Sequence, residues 1–111
     1  VITFESWLLD QTRRELTTRD GTPVRVTRGE FDLLAALVQA NGRPLSRDYL
    51  VEVVSNRDTE VGDRTVDALV ARLRRSVHAR PRHGRTAGGP PVIVTVTGVG
   101  YKLGVRTDAR G

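Results

Sequence analysis

The sequence predicts an α+β domain, and three observations predict it. Short alternating runs broken by turn residues fill the first 26 positions. From residue 27 to 78 the apolar spacing lengthens to that of helices. A β-branched run and a glycine-bracketed turn then read as a closing hairpin. At 111 residues the chain has room for one domain with its own core.

The elements follow in order. Ile2, Phe4, Ser6 and Leu8 alternate with Thr3, Glu5, Trp7 and Leu9, a strand pattern that stops at Asp10-Gln11. A short run from Arg14 to Thr18 comes next. Asp20-Gly21 is a hairpin-turn dipeptide, which makes Pro23 to Val26 the returning strand. Residues 1–26 therefore predict a small antiparallel sheet.

Thr27-Arg28-Gly29-Glu30 has the T-x-x-E form of a capping box, in which two side chains satisfy two free N–H groups of a new helix. Phe31, Leu34, Ala35 and Val38 lie at i, i+3, i+4 and i+7, and Asn41-Gly42 should end the helix with Gly42 as its left-handed cap. Ser46 is a second N-cap, and Leu50, Val53 and Val54 make a short helix ending near Ser55. Residues 56–62 are polar and read as a loop. Asp63 is a third N-cap, opening a helix from Arg64 to His78. Its apolar stripe is Val66, Val70, Leu73 and Val77. At about 100° per residue the opposite face holds Arg64, Ala68, Ala71, Arg72 and Arg75. Thr65 and Leu69 sit at one margin and Arg74 at the other.

Residues 79–91 are rich in Gly, Pro and Arg and read as a loop, either a phosphate clamp built on Arg80, Arg82 and Arg85 or a spacer. Val92 to Val96 and the alternating Tyr101, Leu103 and Val105 form the hairpin, turned at Gly98 and Gly100. The tail 106–111 reads as flexible.

Charge sharpens this plan. The net charge is +5, but residues 1–55 carry 7 Arg against 8 acids, a net of −1. Residues 56–111 carry 10 Arg and 1 Lys against 5 acids, a net of +6. A GC-rich coding bias explains an Arg excess, not its asymmetry. A solvated face is the ordinary reading of a basic helix. Here the Arg residues share one face with two alanines between them, which suits close approach to a DNA groove. Arg also carries a planar fork that matches phosphates and guanine edges.

Other chemistries are excluded or weak. The absence of Cys removes disulfides, thiolate metal sites and a Cys nucleophile. No apolar run approaches the ~18 residues of a membrane span, and no signal peptide is visible. His78 and His83 lack partners at metal-ligand spacing, and Gly98-Val99-Gly100 is too short for a dinucleotide site. Neither metal nor cofactor nor enzymatic activity is expected. Trp7 and Tyr101 read as packing residues, and Tyr49 as either core or backbone contact. Three helices followed by a hairpin suggest a winged helix-turn-helix, with the hairpin as wing. A winged helix docking RNA or protein and an auxiliary domain of an enzyme remain the rivals.

The chain resembles the C-terminal effector domain of OmpR/PhoB-family response regulators. The matching residues are Leu33-Leu34, Gly42-x-x-Leu45-Ser46-Arg47-x-x-Leu50, Asp63-Arg64-Thr65-Val66-Asp67, Arg72-Leu73-Arg74-Arg75 and Thr95-Val96-x-Gly98-x-Gly100-Tyr101. They span Thr27 to Leu103, and the domain would cover residues 1–105, as a sheet (1–26), three helices (27–78) and a wing (92–105). The resemblance implies a four-stranded N-terminal antiparallel sheet, a third helix in the major groove and a wing on the adjacent minor groove or backbone. By position, Arg64, Ala68, Leu69, Ala71 and Arg72 would face the bases, Arg74 a phosphate, and Thr95 and Thr97 the backbone, with Thr65 and Arg75 completing the DNA-binding set. Leu69 and Ala71 are apolar where the family often has polar groups, and Thr97 stands where a basic residue is common. The resemblance also implies a cytoplasmic protein with a receiver domain before Val1, phosphorylated by a histidine kinase, and a homodimer on direct repeats of promoter DNA. RNA polymerase would touch the 56–62 loop through Arg57, Asp58 and Glu60.

Overall fold

The computed structural model describes residues 2–4, 7–18, 20–55, 63–78, 92–105 and 107–109. Along the chain run β1 (Ile2–Phe4), β2 (Trp7–Asp10), β3 (Glu15–Thr18), α1 (Arg28–Ala40), β4 (Leu45–Ser46), α2 (Arg47–Val54), α3 (Asp63–His78), β5 (Ile93–Val96), β6 (Gly100–Leu103) and β7 (Thr107–Ala109). This is the α+β winged-helix arrangement expected, with corrections at both ends.

The first alternation is two strands, not one: Ile2 pairs with Leu9 and Phe4 with Trp7. β3 pairs with β2, placing Leu16 opposite Leu9. Phe4, Leu9 and Leu16 turn inward and are buried. The returning strand expected at Pro23 to Val26 does not form. Proline has no N–H to give a ladder, and Pro23 makes only an isolated bridge to Thr17. Val24 supplies one further bond, donating to the Leu16 carbonyl at 2.8 Å.

The sheet still has four strands, because its fourth comes from the tail. β7 pairs antiparallel with β1, Ile2 opposite Ala109, giving the order β3-β2-β1-β7. The edge of β1 carries backbone donors and acceptors that need partners. Residues 107–109 meet that need without any apolar alternation of their own. Thr107 also donates its hydroxyl to Asn41 Oδ1 at 2.7 Å, tying β7 to the end of α1.

The helices start where their caps require. Thr27 Oγ1 accepts from the Glu30 N–H at 3.2 Å, and Glu30 Oε2 accepts from the Thr27 N–H at 3.4 Å, completing the capping box. Asn41 (φ 52°) takes the left-handed cap position expected of Gly42, which follows at φ 91°. Ser46 caps α2 by accepting from the Tyr49 N–H at 3.1 Å. Phe31, Leu33, Leu34, Leu37 and Val38 of α1 meet Leu50 of α2 and Leu73 of α3 in one buried cluster. Tyr49 is exposed rather than core, beside Phe31, Ala35 and Ala36 in an open groove between α1 and α2.

The wing belongs to a second sheet, β4-β6-β5. β4 pairs Leu45 with Tyr101 and Ser46 with Gly100, a link that sequence reading missed. Gly100 is required there: a Cβ would collide with the Leu45 carbonyl and lie 3.0 Å from the Arg47 nitrogen. Gly98, at φ 78°, makes the wing turn.

Candidate nucleic-acid interface

α3 has two faces. Val66, Leu69, Val70 and Leu73 are buried against the other helices, with Val66 and Leu73 fully so. Thr65, Ala68, Ala71, Arg72 and Arg75 are exposed. Their spacing forms one ridge along a helix about 24 Å long, which a major groove admits. Alanine at two ridge positions leaves the helix backbone close to whatever it meets. No acid interrupts the exposed ridge among the described residues.

Leu69 departs from expectation. The resemblance puts it on the base-facing side, yet it is only 9% exposed and belongs to the core. It sits three residues after Val66 and four before Leu73, so it completes their apolar stripe. A Cβ on Gly29 would touch Leu69 Cδ1 at 3.3 Å, which shows how closely α1 and α3 approach there.

Arg74 is directed at the wing. Its Nε and Nη2 donate to the Ile93 carbonyl at 3.3 and 3.2 Å, and Nη2 donates to Thr95 Oγ1 at 2.8 Å. Arg74 and Thr95, expected at a phosphate and at the DNA backbone, thus contact each other. Thr97 is exposed in the wing turn beside Val99, which is 47% exposed and was not singled out from sequence. An apolar residue between two turn glycines is the signal that marks it.

Asp67, an acid of α3, is held off the exposed ridge. It accepts from the Tyr101 hydroxyl at 2.5 Å and pairs with Arg47 Nε at 3.2 Å. Burial raises the Tyr101 pKa above its usual 10.0; the Asp67 hydrogen bond adds to this and Arg47 opposes it. The hydroxyl is therefore a neutral donor at physiological pH. The guanidinium carbons of Arg47 and Arg74 each lie 5.8 Å from the Tyr101 ring centre. Sequence reading missed this cluster because its members are far apart in the chain.

Arg64 lies in the first turn of α3, with its side chain outside the described residues. Arg57, Asp58, Glu60, the loop arginines Arg80, Arg82 and Arg85, and His83 also lie outside them. No helix among the described residues is long and apolar enough to cross a membrane.

Comparison with known proteins agrees with this geometry. Residues 21–103 match the family described as transcriptional regulatory protein, C terminal. Over 98 residues the chain is 41% identical to the transcriptional regulatory protein AruR of Pseudomonas aeruginosa, covering 88% of this chain and 38% of AruR. The chain thus spans about two fifths of that relative's length. The DNA-binding domain of Escherichia coli CadC superposes with a TM-score of 0.81 at 27% identity, over 99% of this chain and 96% of that one. The DNA-binding domain of Klebsiella pneumoniae RstA, solved in complex with the RstA box, gives 0.66 at 26% identity, over 91% and 93%. The chain belongs to the family of C-terminal domains of transcriptional regulatory proteins, the DNA-binding winged-helix effector domains of OmpR/PhoB-type response regulators.

Proposed function

We propose that the chain is the output domain of a two-component response regulator and controls transcription by binding promoter DNA. In this reading α3 enters the major groove. Thr65, Ala68, Ala71, Arg72 and Arg75 face base edges and flanking phosphates, and Arg64 joins them from the first turn. The wing lies on the adjacent minor groove or backbone through Thr97 and Val99. Arg72 is the base reader, since its fork matches the O6 and N7 acceptors of guanine. The observation that carries the reading is the two-sided α3: a buried apolar back, an exposed ridge of Arg and small residues, and a wing beside it. The RstA domain, solved on its own DNA box, supports it.

The wider reading is that a receiver domain precedes Val1 in a cytoplasmic protein, accepts phosphate from a histidine kinase and drives dimerisation on direct repeats. The part of AruR outside the match leaves room for such a domain. RNA polymerase would meet the 56–62 loop at Arg57, Asp58 and Glu60.

Selection of duplexes from a random pool, followed by a salt titration, tests the reading. A direct repeat of short half-sites is expected. Log K should fall with log salt by about 0.9 per phosphate neutralised. No enrichment, or a flat salt response, would refute it and favour a protein partner.

A further inference from the structure

The wing is anchored to α3 at one rung. Thr95 of β5 pairs with Tyr101 of β6. Arg74 holds Thr95, and Asp67 holds Tyr101. Asp67 and Arg74 are seven residues apart on α3, two turns along one face, so the two anchors stand about 10.5 Å apart along the helix axis. A single anchor would act as a hinge. Two anchors so separated fix both the distance of the wing from α3 and its tilt.

Among the described residues, these side-chain hydrogen bonds are what ties the outer wing to α3. β6 meets β4 through two residue pairs, and the buried Ile93, Leu103 and Val92 lie at the wing's base. Thr95, Thr97 and Val99 beyond it are exposed. The Asp67 carboxylate would repel DNA phosphates if it pointed outward; here it is consumed by Tyr101 and Arg47. Arg74 spends Nε and Nη2 on the wing. Resting on the interface proposed above, we infer that Asp67, Arg74 and Tyr101 are positioning residues: they form a strut that sets the separation of α3 and wing, and so the DNA groove geometry the domain accepts, without reading a base.

Three variants of the chain test this. Tyr101→Phe keeps the ring and removes one anchor. Arg74→Ala removes the other, and Arg74→Lys keeps the charge but loses the fork. On a duplex selected by the wild type, hydroxyl-radical protection under α3 should persist in all three while protection under the wing fades. Affinity should drop roughly 5- to 30-fold, the scale of one or two lost hydrogen bonds. The salt slope of Arg74→Ala should equal that of the wild type. In the free protein, amide exchange at Val94 and Val96 should quicken while α1 amides are unchanged. Unchanged wing protection and exchange would overturn the strut. So would a salt slope shallower by about 0.9 in Arg74→Ala with the wing footprint intact, which makes Arg74 a phosphate contact. Failure of the wild type to select any duplex would refute the interface instead, and the exchange measurement would still decide the strut.

Discussion

Replacing Gly100 by Ala should be among the most damaging single-methyl additions in the molecule. The new Cβ would collide with the Leu45 carbonyl, 3.0 Å from the Arg47 nitrogen and 3.1 Å from the Ser46 carbonyl carbon. All three neighbours are backbone, so no side chain can rotate away. β4 must move off β6, which breaks the pairing of Leu45 with Tyr101 and of Ser46 with Gly100. Two lost backbone hydrogen bonds at about 1 kcal/mol each, with about 1–2 kcal/mol of overpacking strain, give roughly 3–4 kcal/mol. For a domain near this size that lowers Tm by roughly 12–30 °C. Gly98→Ala is the control. Its Cβ meets open space, but its φ of 78° disfavours a side chain, at a cost of about 1–2 kcal/mol. Thermal unfolding followed by circular dichroism ranks the two. If Gly100→Ala is no less stable than Gly98→Ala, the close approach of β4 to β6 is wrong.

Three further outcomes are expected. Arg72→Ala should weaken binding to a selected duplex by about 1–3 kcal/mol and to random DNA by less; equal losses in a competition assay would demote it to a phosphate contact. Leu69→Ala should lower stability by about 2–5 kcal/mol in urea unfolding, because it empties a core site. Normal stability with lost DNA binding would put Leu69 back on the base-facing side. Finally, the raised pKa of Tyr101 means the folded state holds its phenolic proton more tightly than the unfolded chain. The stability it contributes is complete below pH 10.0 and is lost as pH rises through the folded value. Unfolding scans above pH 10.0 should show a steeper loss for wild type than for Tyr101→Phe, and equal slopes would contradict the buried hydroxyl.

Most of the fold was legible because local chemistry decides it. Thr27 with Glu30, Ser46 before α2 and the apolar stripe of α3 act over three to seven residues, so the sequence displays them directly. Pro23 is readable too: its missing N–H argues against a strand even after the turn at Asp20-Gly21. β4 and β7 were not legible. One is a two-residue strand and the other has no alternation, and both exist because a partner edge needs them. Leu69 is instructive in another way. The helix wheel sets it at a margin and the positional resemblance draws it towards DNA, yet its spacing from Val66 and Leu73 fits the core stripe, where it is buried. Arg74 shows the converse. Its place on the helix wheel was right, but no local pattern could reveal that Ile93 and Thr95 would come within its reach.

The pairing of Ile2 with Ala109 has a consequence for how the domain is made. On a ribosome β1 emerges before the helices and the wing, and its partner β7 emerges after them. Helices and wing can assemble while one edge of the N-terminal sheet waits without its partner. The sheet is sealed only once β7 has followed the wing, so a chain cut before Thr107 would keep its helices beside an open, adhesive edge.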